Sequence, residues 1–569
     1  MKKIFLLTLL AISALTLNAQ IMMNIGDKKY DISTIDSIVF VKTSVPSINT
    51  VLDNSGEYSI FIQALQITGL ADSLIIYERD KEYEMASHSD MDGNLLYYPK
   101  SCDLGYTLFA EKDEVFRNAG IYNFSDLAAK CVEWYGNPTW YDLISEKGIH
   151  ISTGADYTYE WNVVHMFVAY HIIRTKIAVD QLVYEKNAKT NDTWNYCFGY
   201  EPQVYYETML QGTLLKVWQT NPKTTKELWL NRYVANNTLT DQYATFGSDG
   251  MHQLVYSGAQ IDRTGSMEVM NACLHSIDKV LLYDQNACYS QHERMRFHVN
   301  QMLPELGTNN FMRATTNEVS ALNNGGNGNR IAFPTDYFDN LRCYDENTKL
   351  LYGVTGMWRA IESTILGIYG PSDFAIRLPH VPSGRYEIRL PYSPTYRGSK
   401  IEFYIGGDSE NPSSMTHLNS LNTTLDPNNP EDNENIGYVR IEAYNEEYGI
   451  EAEKTMRTHG FMYAPASFSR GTYNTITDKL TITDGDPYSA CRIMDGSTNC
   501  RTEVGYGTMV LRYIVATADI KQGQDYWFRF KGNAARDDVP EVNQTWSLNF
   551  IELVPTDVAN NPTYMEDWY

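Results

Sequence analysis

The first pattern that could do chemistry is His292-Glu293-Arg294-Met295-Arg296-Phe297-His298. A zinc-hydrolase helix needs histidines at i and i+4, so that both rings meet one metal. Here the spacing is i, i+6. On a helix the two rings point about 240° apart, and on a strand they lie roughly 20 Å apart. The segment is therefore read as surface, and no metal is assigned to it. Gly326-Asn327-Gly328 lacks the third glycine and the preceding strand of a dinucleotide loop. Neither a G-x-x-x-x-G-K-[ST] loop nor a G-x-S-x-G elbow occurs. Asp90 and Asp92 before Gly93 resemble a calcium loop, but His88 and Pro99 occupy its first and last ligand positions, so a hairpin turn is expected. The acidic stretch Asp426 to Asn435 is read as a solvated loop, with structural calcium as the alternative. No other cofactor is expected.

Ligand contact is better sought among aromatics beside turns. The chain has 42 Tyr and 10 Trp. Tyr392 and Tyr396 follow Pro391 and flank Pro394, while Trp358 and Tyr369 sit near other breaks. Sugar rings present apolar C–H faces that stack on such side chains, and Arg397 or Asp408 could hydrogen-bond hydroxyls. The competing reading is sandwich core or ordinary Tyr-rich surface. None of the eight cysteines forms a C-x-x-C pair. Cys491 and Cys500 bracket a turn-rich loop and read equally well as a disulfide or as two thiols, whereas Cys131 and Cys273 have apolar neighbours and read as core fillers.

The chain of 569 residues carries 46 Lys and Arg against 70 Asp and Glu, a formal net charge of −24. Such a chain repels phosphate backbones and anionic membrane surfaces, which argues against nucleic-acid binding. Lys2 and Lys3 precede the apolar run Ile4 to Leu17, and cleavage after Ala19 fits a secretory signal. No later run approaches the ~18 apolar residues of a membrane span. The expected location is outside the cytoplasm: periplasmic, outer-membrane-associated or released.

The elements that would position these residues fall into distinct blocks. Residues 20–45 read as a β-hairpin unit, with Ile21–Ile25 and Ile38–Val41 as its β-prone runs. Tyr58 to Leu74 carries a helical pattern with a stop at Gly69. Tyr106 to Phe116 is a short β-run feeding a helix whose amides Asp113 can cap. Val163 to Ile173 is a buried apolar stretch ending in Tyr170-His171, and Asn271 to Leu282 is a last strand-like run. Together these blocks resemble the fasciclin domain family. Thr68-Gly69-Leu70-Ala71 is similar to the opening of that family, Tyr106 to Phe116 to its first signature, Tyr170-His171 to its Tyr-His pair, and Asn271 to Leu282 to its second signature. Glu111, Lys112 and Ala272 stand where the family usually has Pro, Thr and Gly. The resemblance implies an α+β domain over residues 46–285, with insertions near 185–203 and 220–262, and animal relatives use the Tyr-His pair in cell adhesion. Here Asp113, Phe116, Tyr170, His171, Asn271, His275 and Asp278 are the motif residues, and their expected role is structural. Tyr206 to Val217 has a helical stripe, whereas the resemblance implies a turn at Gly212 and a strand from Leu214 to Trp218.

Residues 286–330 read as a connecting segment with a flexible Asn/Gly loop at Asn323–Asn329. Beyond it, Phe374/Ile376/Leu378 alternate with Ala375/Arg377, and Tyr386/Ile388/Leu390 with Glu387/Arg389. Ile401/Phe403/Ile405 alternate with Glu402/Tyr404, Tyr526/Phe528/Phe530 with Trp527/Arg529, and Trp546/Leu548/Phe550 with Ser547/Asn549. Period-2 alternation marks strands with one buried face, so residues 331–569 are expected to form an all-β, jelly-roll-like sandwich. Their strand spacing is similar to galactose-binding-like modules, and the combination with a fasciclin-like half resembles exported Bacteroidota proteins linked to nutrient uptake. The expected function is non-enzymatic: capture of a glycan or glycoconjugate, in association with an outer-membrane transporter. The alternative is a cell-adhesion or structural protein that meets an envelope protein through its fasciclin half.

Overall fold

The computed structural model describes residues 22–25, 28–31, 47–83, 95–183, 203–220, 227–235, 253–312, 314, 316–323, 330–346, 348–354, 362, 364–392, 398–427, 429–438, 446–463, 472–474, 479–481, 511–534 and 545–560. The chain divides into two compact units, Met1–Val45 and Pro46–Tyr569. In the small unit Met22–Ile25 pairs antiparallel with Lys28–Asp31, with Ile25 opposite Lys28. The hairpin is thus tighter than the sequence suggested. Its second strand is Lys28–Asp31, and Ile38–Val41 lies outside the described residues.

The larger unit is mixed α and β, and its first half packs helices on a seven-stranded sheet. The strand order is Ile172–Ile173, Tyr106–Glu111, Ala272–Ile277, Ala259–Glu268, Glu227–Leu230, Leu214–Thr220 and Gln203–Glu207. Tyr106–Glu111 and Ala272–Ile277 run parallel, paired from Tyr106↔Ala272 to Glu111↔Ile277, so the two signature segments lie side by side. The helix Ser59–Ile67 buries Ile60, Phe61, Ala64 and Leu65, and Gly69 ends this stretch at φ +73°, a conformation costly for any residue with a Cβ. Helix Val163–Tyr170 is apolar on nearly every face because it lies inside the half. Gly212, at φ +75°, turns the chain between Gln203–Glu207 and Leu214–Thr220, so the turn-and-strand reading of this stretch holds and the helical stripe does not. Phe124–Tyr135 packs on Val163–Tyr170 through Trp134 and Phe167, and Asp142–Lys147 meets the second half.

The second half contains three larger antiparallel sheets, besides the short pair Thr472–Asn474 and Lys479–Thr481. One has the order Leu341–Cys343, Ser372–Arg377, Trp527–Ala534, Ser399–Gly406, Thr416–Asn422. A second has the order Met295–His298, Phe550–Pro555, Gly384–Tyr392, Leu511–Ile520, Phe461–Tyr463. A four-stranded sheet joins Arg330–Phe333, Lys349–Val354, Thr364–Tyr369 and Thr545–Leu548. The inward sets read from the sequence are buried: Phe374, Ile376, Phe528, Phe530, Ile401 and Phe403 have almost no exposure. Phe374 stacks on Phe530 at 5.1 Å, Phe403 stacks on Phe528 at 5.9 Å, and Phe403 reaches across to Tyr513 of the second sheet at 6.1 Å. These contacts make the two five-stranded sheets a sandwich.

The segment His292 to His298 was read as surface, but Met295–His298 is a buried edge strand of the second sheet. Arg294, Arg296 and His298 are buried, and only His292 stays outside, beside Asp557. Charge suggested solvent. In the fold, Arg296 lies directly opposite Glu552 and keeps an ionic partner inside the protein. The segment 286–330, read as a connection, therefore supplies part of the sandwich.

The halves are joined by a close contact. Gly523, at φ +67°, sits in the turn after Leu511–Ile520 and faces Gly212 of the first half. A Cβ on Gly212 would fall 2.8 Å from the Gly523 Cα, and one on Gly523 would meet the Leu143 side chain at 2.7 Å. Around them the Gln522 amide donates to the Gly212 carbonyl at 2.9 Å, and Lys147 Nζ donates to the Gly523 carbonyl at 3.0 Å. Among the described residues, no helix is long and apolar enough to cross a membrane.

Candidate binding face of the sandwich

The motif residues of the first half are internal fasteners. Asp113 was expected to cap its own helix, Asp113–Asn118. Instead its carboxylate accepts from Ser59 Oγ at 2.6 Å and from the Ile60 amide at 3.0 Å, capping the Ser59–Ile67 helix across the fold. Phe116 is fully buried against Phe167. The buried Tyr170 hydroxyl donates to the Leu214 carbonyl at 3.1 Å and accepts from Asn231 Nδ2 at 2.9 Å. His171 lies between the Phe167 carbonyl, 2.7 Å from Nδ1, and Glu111 Oε1, 3.0 Å from Nε2. Asn271 accepts from the Ile48 amide at 3.2 Å and donates to the Leu74 carbonyl, tying the first helices to the last strand. His275 bonds to Ser266 and the Ile177 carbonyl, each at 3.0 Å, and burial lowers its pKa to about 4, so it is neutral at pH 7. Asp278 is exposed and accepts from the Gln260 amide at 2.6 Å.

The aromatic candidates fare differently. Tyr392 is 1% exposed, packs on Phe461 at 5.5 Å and bonds through its hydroxyl to the Leu425 carbonyl, so it is core and not a stacking platform. Tyr369 is buried and covered by the Arg330 guanidinium, 5.2 Å from its ring centre. Trp358, Tyr396 and Arg397 lie outside the described residues, as do the Asp90–Gly93 turn, Cys197, Cys491 and Cys500. Asp426 to Asn435 is not a plain loop. Pro430–Ile436 is a helix capped by Asn429, and Asp432 accepts from the Asp426 amide. Among the described residues, no group of three or more His, Cys, Asp or Glu side chains is arranged to hold a metal ion. Cys131 and Cys273 are buried free thiols, as expected of core fillers.

What the fold does assemble is the outer face of the first five-stranded sheet, opposite its phenylalanine core. Strand pairing places Arg342, Ala375, Arg529, Tyr404 and His417 in one row across all five strands. Arg529 is the centre of this row. Its Nε and Nη2 each reach an Asp373 carboxylate oxygen at 2.6 Å, and its Nη1 donates to the Pro412 carbonyl at 2.9 Å. The guanidinium sits over Tyr344 at 5.3 Å and over Tyr404 at 5.1 Å. His417, exposed, meets the Tyr404 ring edge-on at 5.1 Å. The Tyr404 hydroxyl donates to Glu402 at 2.9 Å and that of Tyr344 to the Ser409 carbonyl at 2.8 Å. Alongside, Arg342 lies over Trp527 at 5.1 Å and within 3.4 Å of Glu410. Trp527 and Met415 are nearly covered, while Tyr344, Tyr404 and Lys531 remain half-buried.

The electrostatics of this face are stable near neutrality. Burial pushes the Tyr344 phenol up to about 12 and raises that of Tyr404, where Glu402 adds to the effect. The paired carboxylate of Asp373 raises Arg529 further, so both rings stay neutral while the guanidinium stays charged. Flat π-faces, fixed donors and fixed acceptors alternate within one sheet surface, and side chains held by several bonds have little rotamer freedom left to lose on binding. The sequence did contain a signal for it. The outward-facing members of the alternating strands include Tyr404, Trp527 and Arg529. Arg342, Tyr344 and His417 carried no such mark, because only register brings their strands alongside. Neither a protein-family model nor a curated protein matches this chain in sequence.

Proposed function

We propose that this chain is an exported, non-enzymatic binding protein that captures a glycan or glycoconjugate on the outer face of the sandwich, beside an outer-membrane uptake system. The observation that carries the reading is the Arg529 clamp between Tyr344 and Tyr404, flanked by Glu402 and His417. Sugars need flat apolar surface for their C–H faces and rigid polar groups for their hydroxyls, and this face offers both. Export rests on the charged and apolar pattern of residues 1–19. A fasciclin-like identity of the first half is supported by the parallel pairing of the two signature strands.

The test is a glycan array followed by affinity-gel titration of the whole protein and of Tyr404→Ala and His417→Ala. Truncating a central aromatic contact typically weakens binding by about 1–3 kcal/mol, roughly tenfold to a hundredfold. Binding that survives both substitutions, or an array with no binder, overturns the reading. A second reading, adhesion through the first half, is favoured by one observation: Ile75, Ile76 and Tyr77 are consecutive and are 57%, 57% and 47% exposed. A protein partner lost on Ile75→Ser/Ile76→Ser, in the absence of any bound glycan, would establish that alternative.

A further inference from the structure

We propose that His380 is a pH-sensitive clasp between the two halves of the larger unit, closed when its ring bridges Glu207 and Asp525. Glu207 ends the edge strand Gln203–Glu207 of the first half. His380 follows the Ser372–Arg377 strand of the sandwich, and Asp525 sits in the turn that carries Gly523.

The geometry favours the charged form of the ring. Nδ1 lies 2.9 Å from Glu207 Oε1 and Nε2 lies 3.0 Å from Asp525 Oδ1. Nε2 hydrogen-bonds Asp525, and Nδ1 stands at ion-pair distance from Glu207; two carboxylates flanking the two ring nitrogens favour the imidazolium, which alone has two N–H groups. Glu207 Oε1 also accepts from the His380 amide at 2.9 Å and from Arg377 Nη1 at 3.0 Å, while Oε2 takes Arg377 Nη2 at 2.5 Å. Arg377 is fixed in turn by Asn340 Oδ1 at 3.0 Å from its Nε. Glu207, Asp525 and Arg377 are the charged groups facing the ring among the described residues, the last with Nη1 3.5 Å from both nitrogens. Arg377–Glu207 is a link across the halves that does not titrate near neutral pH. His380 adds a second link that does.

The direction of the effect follows. Burial opposes the charge on His380, but the bonds to Asp525 and Glu207 outweigh it and raise its pKa above the ordinary value. A histidine whose folded pKa is raised contributes its full stabilisation below the unfolded value, about 6.5, and loses it as pH rises through the folded value. Burial likewise opposes ionisation of Glu207, yet Arg377 and His380 hold it well below the usual carboxylate range, and the bond from His380 lowers Asp525. The carboxylates therefore release the clasp only in acid, while His380 releases it as pH rises through its raised pKa. The joint is tightest in mildly acidic solution.

Two measurements on the full chain test this. The first is the imidazole titration of His380 by NMR, assigned by its disappearance in His380→Gln. The second is hydrogen exchange of the Gln203–Glu207 peptide at pH 6 and pH 8.5, corrected for the intrinsic effect of pH. His380 should titrate above the ordinary histidine value, and in Asp525→Asn, a change at an exposed residue, its midpoint should fall. Opening of the peptide should increase between the two pH values by up to about tenfold for each unit by which the native pKa exceeds the unfolded one. In His380→Gln the same peptide should open equally at both. A His380 that titrates at or below the ordinary value overturns the proposal. So does an identical pH response in the wild type and either variant.

Discussion

Replacing Glu552 with glutamine should destabilise the larger unit by about 3–5 kcal/mol, the usual cost of stripping one partner from a buried ion pair. The carboxylate is fully buried in the middle of the second sandwich sheet. Arg296 and Arg389 lie directly opposite it on the two neighbouring strands. Arg296 reaches Oε1 through Nε at 2.8 Å and Nη2 at 2.6 Å, and Arg512 reaches Oε2 at 3.2 Å. Arg389 stands 3.7 Å from Oε2 and Arg294 3.8 Å from Oε1. Four guanidinium groups thus converge on one anion, all with almost no exposure. Glu387 and Glu453 pair with Arg389 and Arg512 at the far side, so among the described residues Glu552 alone is shared by all four. Glutamine keeps the shape, removes the charge and turns one acceptor oxygen into an NH2 that faces guanidinium donors. Burial opposes ionisation of Glu552, but Arg512, Arg296, Arg294 and Arg389 outweigh it and hold its pKa far below the ordinary range. A depressed native pKa contributes fully above the unfolded value, about 4.3, and is lost as pH falls through the native one. The difference between wild type and Glu552→Gln, read from denaturant midpoints at fixed m-value, should therefore be constant from pH 5 to 8 and shrink in stronger acid. A difference under about 1 kcal/mol at pH 7 would show that the cluster behaves as a solvated surface pair.

This cluster marks the boundary of what the sequence discloses. The alternation Phe374/Ile376, Ile401/Phe403 and Phe528/Phe530 predicts strands and their buried side, because period 2 is a local property of the backbone. It also contained an answer that the reading of Tyr392 overlooked. Tyr386, Ile388, Leu390 and Tyr392 share one parity, so a tyrosine placed beside a turn still points inward with its set. What no local pattern contains is partnership between distant strands. Arg296 and Glu552 are each a charged residue in a mixed segment, and solvent is the reasonable default until register sets them opposite each other. The same holds for Asp113, whose position before a helix predicted a cap but not that the capped helix would be Ser59–Ile67. On the proposed binding face, Tyr404 and Arg529 were legible as outward-facing. The clamp was not, since Asp373 and Tyr344 arrive from strands that only topology brings adjacent.

Glu111→Ala should cost about 2–4 kcal/mol, from two buried polar groups left without a partner, and Glu111→Gln roughly half as much. The side chain stands where the resembled family has proline, and it is fully buried. Its Oε1 accepts from the Leu281 amide at 2.8 Å and meets His171 Nε2 at 3.0 Å. On the other side of the ring, Nδ1 faces the Phe167 carbonyl at 2.7 Å. A carbonyl cannot donate, so Nδ1 carries a hydrogen, and the contact with Glu111 closes only if a further proton lies between Nε2 and Oε1. Imidazolium with carboxylate and imidazole with carboxylic acid both satisfy this. An amide satisfies only part of it. If its oxygen keeps the Leu281 N–H, it can meet only a charged ring that has lost its counter-ion. If its NH2 turns to a neutral Nε2, the Leu281 N–H has no acceptor. Phe61 and Phe167, 5.5 and 4.5 Å from the imidazole, leave the ring no room to turn towards other partners. A double-mutant cycle between Glu111→Ala and His171→Ala isolates the shared proton from these packing losses. It should return a coupling of at least 1 kcal/mol, within the range of directly bonded neighbours. Independent, additive losses would mean that the two groups stand side by side without bonding, and that the departure from proline at this position has no bearing on His171.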